Sequence, residues 1–283
     1  MTEVFNKIEA LDERLSELRK QHKTIGFVPT MGALHKGHIS LIERSNREND
    51  TSVCSVFVNP IQFNNQNDLL KYPHTPESDI EMLSNEGCDI IFIPSREQMY
   101  PESLKLENYH FGTLETVMEG KFRPGHFNGV AVVVKRFFDI VQPNKAYFGL
   151  KDFQQLAIIK DLVRQIGSKI EIVECGIIRE VDGLAMSSRN SRLSAIQRKV
   201  APYIYEVLLA VKEKAGEMSI EELKAWTLEQ INREDLMKIE YFEIVSPISL
   251  MPVNEQNKHL GSVACIALYM DEIRLIDNII LFL

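Results

Sequence analysis

Short apolar runs alternate with longer amphipathic stretches through the first part of the chain. The runs at 24–28 (TIGFV), 51–58 (TSVCSVFV), 89–93 (DIIFI) and 169–173 (KIEIV), with a fifth at 145–148, are rich in β-branched residues and nearly continuous in apolar character. Strands buried on both faces look this way. Between them, 39–46 and 76–86 have helical periodicity, and Val130, Val133, Val134, Phe137 and Val141 share one helical face. The alternation predicts an α/β fold, a doubly wound parallel sheet with right-handed crossovers. Ligands of such sheets lie outside the carboxyl ends of the strands, so residues just after strands are the first candidates for function.

The texture changes after Cys175. Residues 176–190 are polar and loop-like; 194–217 and 219–232 read as two amphipathic helices, each opening on a serine suited to an N-cap. Short β-rich runs follow at 241–245, 263–269 and 273–275. The expectation is a larger domain over 1–176 and a smaller α+β C-terminal domain over 177–283, joined by a short hinge near Gly176. Trp226 lies on the second of these helices and is expected to pack there.

Composition fits that picture. Of 283 residues, 45% are hydrophobic and 25% charged, the balance of an ordinary globular chain. The net charge of −8 argues against a general nucleic-acid binder, which needs basic patches to neutralise phosphates. No apolar run approaches the roughly 20 residues that span a bilayer, and the acidic, amphipathic start does not read as a secretory signal. Cys54, Cys88, Cys175 and Cys265 are far apart in apolar contexts, so buried thiols in a reducing cytoplasmic setting are expected.

Four segments carry candidate chemistry. In PTMGALHKGH (29–38), a strand runs into a helix. Gly32 and Gly37 permit close backbone approach, and a helix amino terminus favours phosphate. His35 and His38, three apart, would lie side by side and stabilise charge developing on a phosphoryl group; a surface pair or part of a metal site is the plainer alternative. Next, FVNPIQF (57–63) offers Asn59 and Gln62 among apolar neighbours, a mix suited to a hydroxy acid, although Asn59-Pro60 also reads as a turn. In NKAYFGLKDFQQ (144–155), a strand ends at Gly149; Lys151 supplies a compact charge for phosphate, Asp152 an acceptor for ribose hydroxyls, and Gln155 follows one helical turn on. A solvated Lys-Asp pair is the alternative there. Last, REVDGLAMSSRN (179–190) ends in hydroxyls and an arginine able to grip a triphosphate from a closing loop, or is an ordinary polar linker.

Together with YPHTPESD (72–79) and FRPGHFNGVAVVVKRFF (122–138), these motifs stand in the order and spacing of the pantothenate synthetase family, and the HxGH element is similar to that of the nucleotidylyl-transferase superfamily. The resemblance implies a Rossmann-like ATP- and pantoate-binding domain, with the smaller domain closing over the active site. It implies an ATP-dependent ligase that activates pantoate as a pantoyl-adenylate, releases pyrophosphate, and joins the acyl group to beta-alanine with release of AMP. Magnesium would accompany ATP, no residue set is assigned as metal ligands, and a homodimer is expected. Carried over by position, Met31, His35, His38, Lys151, Asp152, Ser187 and Arg189 resemble ATP contacts, with Gly149, Ile178, Met186 and Ser188 lining the same nucleotide. Of these, His35, His38, Lys151, Ser187 and Arg189 are expected to be catalytic. Gln62 and Gln155 resemble pantoate contacts, and Asn59, Tyr72 and Arg123 match positions near the substrates.

Two departures stand out: His74 where the family usually has arginine, and Ile61 where it often has methionine. The first removes a permanent planar charge; the second nearly conserves volume. Rival readings are a nucleotidylyltransferase, which would pass a nucleotide to a phosphate and stop, and a non-catalytic nucleotide-binding protein.

Overall fold

The computed structural model describes residues 2–282. Six strands form one parallel sheet: β1 (Glu3–Phe5), β2 (Ile25–Thr30), β3 (Thr51–Val56), β4 (Ile90–Phe92), β5 (Lys145–Gly149) and β6 (Glu171–Cys175), in the order β1-β4-β3-β2-β5-β6. A separate antiparallel sheet orders β7 (Lys238–Val245), β8 (Ser262–Met270) and β9 (Ile273–Phe282) consecutively. The expected α/β class, with a smaller α+β part, is the observed one.

Chain contacts divide the protein into two units. The first takes the chain up to Phe111 with Arg123–Leu150 and Gln155–Gly176; the second takes Gly112–Phe122, Lys151–Gln154 and everything from Ile177 onward. Reading the chain as two consecutive pieces assigned 112–122 and 151–154 to the first domain; the contacts group them with the second.

In the first unit, β2 and β3 are buried almost throughout, which accounts for their unbroken apolar character. The helix Lys36–Glu48 lies so close over β2 that a Cβ on Gly26 would stand 2.2 Å from Ser45 Oγ. The far end of this helix is tied to β5, for Glu48 accepts from Lys145 Nζ and the Tyr147 hydroxyl, each at 3.1 Å. The helix His126–Val141 is buried along most of its length, and Phe137 sits with its ring centre 5.6 Å from Phe27 and 6.3 Å from both Phe57 and Phe92. All four cysteines are free and buried.

The second unit lays its helices on the antiparallel sheet, around a core that includes Leu208, Leu223, Ile244 and Leu268, with Trp226 packed at its margin. Gly112–Phe122 joins it through charge: Arg274 on β9 donates to both carboxylate oxygens of Glu119, at 2.6 and 2.7 Å, and to Glu240. The Tyr241 hydroxyl donates to Glu119 as well. Gln154 holds Lys151–Gln154 to the same segment, donating to the carbonyls of Leu114 and Val117 and accepting from the Glu119 N–H.

Several expected element bounds are corrected. The single helix over 194–217 is two, Ala195–Val200 and Tyr203–Lys214, because Pro202 lacks the N–H that an uninterrupted helix needs. Ser194 and Ser219 are N-caps as expected, each in a capping box. The run at 273–275 continues to Phe282, strand 51–58 stops at Val56, and 169–173 moves to Glu171–Cys175. The three-residue β1 was too short to show a period.

Candidate active site

Strand order reverses between β2 and β5, so the crevice beyond their carboxyl ends is the expected place for a ligand. Past the end of β2, Gly32 and Ala33 both take left-handed conformations, φ +79° and +50°. An alanine is strained there. The loop is held by Asp79, a carboxylate only 2% exposed, which accepts from the N–H groups of Ala33 at 2.9 Å and Leu34 at 2.8 Å. Two adjacent N–H groups converging on one anion form a nest, and its charge offsets the cost of the turn.

That turn delivers His35 as the N-cap of Lys36–Glu48. Its Nδ1 accepts from the Gly37 N–H at 3.1 Å, while Nδ1 of His38 accepts from the His35 N–H at 3.4 Å. The rings lie side by side, tilted by 33°, with centres 4.0 Å apart. An imidazole that accepts at Nδ1 carries its proton on Nε2 when neutral, so the backbone sets both rings as Nε2–H donors. They stand at the positive end of the helix dipole, where negative charge is favoured.

Beyond β3, Asn59 and Gln62 are buried. The Asn59 amide donates to Gln62 Oε1 and to the Gly129 carbonyl, each at 3.0 Å, and accepts from the Tyr100 hydroxyl at 2.8 Å and the Ile61 N–H at 3.4 Å. Both hydrogens and both lone pairs are engaged, so Asn59 orients Gln62, whose Nε2 lies 3.0 Å from Met31 Sδ. Burial pushes the Tyr100 hydroxyl well above its ordinary value, which keeps the donor to Asn59 protonated. Gly129 is required here: a Cβ would stand 2.5 Å from the Ile61 carbonyl oxygen. His126 Nδ1 meets the Gln62 carbonyl at 2.8 Å, completing a frame that fixes both ends of the Gln62 residue.

Other expected residues of the first unit have different surroundings. Tyr72 packs edge-on against Phe63, ring centres 5.7 Å apart. Arg123 precedes His126–Val141 and its carbonyl accepts from the His126 N–H. Gly149 ends β5 with no atom within 4 Å of where a Cβ would be, and Gln155 lies half-buried in the first turns of Phe153–Gln165. His74, together with Met31, Gly32, Phe57 and Arg96, lines a cavity of about 250 Å³.

The remaining candidates belong to the second unit. Lys151 Nζ lies 3.8 Å from Asp152 Oδ1, and the Lys151 carbonyl accepts from Asn278 Nδ2 at 3.0 Å. Ile178 and Met186 face each other across a narrow hairpin, Met186 N–H to Ile178 carbonyl at 3.0 Å. Ser187 caps the short 3-10 turn Ser188–Arg192, its Oγ accepting from the Arg189 N–H. The structure thus groups Met31, His35, His38, Asn59 and Gln62 on one unit, and Lys151, Asp152, Ile178, Met186, Ser187, Ser188 and Arg189 on the other.

Sequence reasoning passed over Asp79, Tyr100 and the pair Asp277-Asn278. Asp79 stands within a quoted motif, yet its partners Ala33 and Leu34 are far away in the chain. Asp277-Asn278 carried the clearest signal, two polar residues inside an apolar strand.

Comparison with known proteins gives one picture. The family model for pantoate-beta-alanine ligase matches residues 3–280. The chain is 50% identical over 276 residues to the pantothenate synthetase of Bacteroides thetaiotaomicron and 48% identical over 277 residues to that of Porphyromonas gingivalis, covering 98% of each and of itself. Among solved structures, pantothenate synthetase from Thermus thermophilus superposes with a TM-score of 0.93 at 41% identity, with all of both chains covered. Pantoate-beta-alanine ligase from Francisella tularensis, complexed with beta-gamma ATP and beta-alanine, gives 0.82 at 35% identity over 99% of this chain and 98% of that one.

Proposed function

The chain belongs to the pantoate-beta-alanine ligase family, and on that footing we propose how its residues perform the reaction. It is an ATP-binding ligase that forms pantothenate. A carboxylate does not react with an amine at useful rates, so the acid must first acquire a leaving group. In the first step the pantoate carboxylate attacks the α-phosphorus of ATP; the bond to the bridging oxygen breaks, and pyrophosphate leaves with its electron pair. In the second, the beta-alanine amine attacks the acyl carbon of the pantoyl-adenylate, loses a proton, and expels AMP.

His35 and His38 donate from Nε2 to the α-phosphate oxygens as charge builds there. The supporting observation is the locking of both Nδ1 atoms by backbone N–H groups, which presents the donors before substrate arrives and removes reorganisation from the barrier. Gln62, oriented by Asn59, binds pantoate with Gln155; Tyr72 and Arg123 stand near the substrates. Lys151, Ser187, Ser188 and Arg189 meet the triphosphate, Lys151, Ser187 and Arg189 also serving catalysis, and Asp152 meets the ribose. Met31, Gly149, Ile178 and Met186 line the nucleotide.

Among the described residues, no three His, Cys, Asp or Glu side chains group closely enough to hold a cation. Magnesium, which neutralises phosphate charge, would accompany ATP. The second unit is read as closing over bound substrates, and the protein as a homodimer, which light scattering on the purified chain would test.

The deciding experiment measures pyrophosphate release with ATP and magnesium. Pantoate alone should give a burst, with sustained AMP and amide only after beta-alanine is added. Pyrophosphate release that does not depend on pantoate would refute the two-step scheme.

A further inference from the structure

Asp277 and Asn278 interrupt the apolar run of β9, yet they are only 5% and 4% exposed. Polar groups in such a place cost free energy unless they are paired, and apolar residues of the same size would pack at least as well. Their partners show what they hold. Asp277 accepts from both arms of Arg179, at 2.6 and 3.0 Å. The same guanidinium donates to the Gly183 carbonyl at 3.2 Å and the Asn278 carbonyl at 3.4 Å, and lies 3.6 Å above the Tyr205 ring. Arg179 stands in the hairpin that leads into Ser187, where the Glu180 N–H reaches the Leu184 carbonyl and Asn190 Nδ2 the Ala185 carbonyl. Asn278 turns to a different segment and donates to the Lys151 carbonyl at 3.0 Å.

We propose that Asp277 and Asn278 are positioning residues for ATP: through Arg179 and the Lys151 carbonyl, two adjacent strand residues set the triphosphate-binding loop and the phosphate-binding lysine in one frame. The inference rests on the reading of Lys151 and Ser187–Arg189 as ATP contacts. Two phosphate-binding elements from distant parts of the sequence must keep a fixed spacing to meet one triphosphate. A bidentate ion pair and a buried amide on a strand supply that spacing more sharply than loop packing does.

The test compares Asn278→Ala, Arg179→Lys, Lys151→Ala and the Asn278→Ala/Lys151→Ala double variant, with ATP and pantoate varied in turn. Asn278→Ala should raise the KM for ATP about fivefold, the size expected for one buried hydrogen bond, and leave the KM for pantoate within about twofold. Added to Lys151→Ala it should change little, because its effect passes through that lysine. Arg179→Lys keeps the charge beside Asp277 but loses the fork, and should raise the KM for ATP in the same direction; it carries the comparison if Asn278→Ala fails to fold. Equal effects on both substrates, or effects that multiply fully in the double variant, would overturn the proposal. If Lys151→Ala leaves the KM for ATP unchanged, the fault lies in the ATP reading itself, and the proposal falls with it.

Discussion

In the first unit, the side chains expected to touch substrate are fixed by neutral donors and acceptors: backbone N–H groups on His35 and His38, and on Gln62 the Asn59 amide, itself held by the Tyr100 phenol; the buried charge of Asp79 holds the loop before His35. In the second, buried charge fixes the hairpin before Ser187, through Arg179 with Asp277, and the segment to which Gln154 is bonded, through Arg274 with Glu119 and Glu240. Burial opposes the charge on Arg274, but hydrogen bonds and attraction from Glu119 and then Glu240 outweigh it and hold its pKa above the ordinary value. The difference has an energetic consequence. Neutral networks are cheap to desolvate and costly mainly in geometry when broken, whereas a buried ion pair that loses one partner leaves a stranded charge. Damage to the first unit's site should therefore appear chiefly in kinetics, whereas removing one charged partner of a second-unit clamp should appear first in stability.

The largest expected effect tests the second half of that contrast. Arg274→Met strands Glu119 and Glu240 and should destabilise the second unit by about 3–5 kcal/mol. Trp226 is the chain's only tryptophan and packs on that unit's core, so its fluorescence during urea unfolding reports the loss directly. A variant with an unmoved fluorescence midpoint would erase the contrast.

Next in size, His38→Ala should lower kcat about a hundredfold to a thousandfold, with the Trp226 transition in place. Activity within a few-fold of the parent would break the proposed mechanism. Asn59→Ala is smaller and mixed: it frees Tyr100, Gly129 and Gln62 at once, which should cost about 1–3 kcal/mol in a global melt and raise the KM for pantoate more than that for ATP. Tyr100→Phe removes one donor from the same network and should cost about 1 kcal/mol.

The smallest effect concerns pH. Hydrogen bonds from Arg44, then Lys145 and Tyr147, lower the Glu48 carboxyl from 4.5 to about 2. A depressed carboxylate contributes stability that is fully present above its unfolded value and disappears as pH falls through the folded one. Glu48→Gln should accordingly lower the denaturation midpoint at neutral pH, and parent and variant should converge between pH 4.5 and about pH 2. A gap that stays constant through that window would show that Glu48 acts by packing.

Much of this was legible in the sequence because strands buried on both faces leave long apolar signatures, as β2 and β3 do, and because the HxGH turn compresses its chemistry into consecutive residues. The rest depended on partners far apart in the chain. Nothing local to Asp79 shows that it holds the turn at Ala33, and nothing near Asn59 shows that Tyr100 and Gly129 saturate its amide. β9 runs past 275 although Asp277 and Asn278 break its apolar pattern, because Arg179 and the Lys151 carbonyl, both distant in the chain, satisfy them within the strand. Pro202 was missed for the opposite reason, since amphipathic periodicity continues across it while the hydrogen-bond ladder cannot.

The chain passes from one unit to the other at 111/112, 122/123, 150/151, 154/155 and 176/177, so the second unit is not a contiguous stretch of the gene. During synthesis, Glu119 and Lys151 leave the ribosome well before β9 and must wait for their partners Arg274 and Asn278. A fragment starting at Ile177 would lack the lysine its own strand is shaped to hold. Recombination at Gly176 would separate them too, so evolution can exchange this unit between relatives only together with pieces of its neighbour.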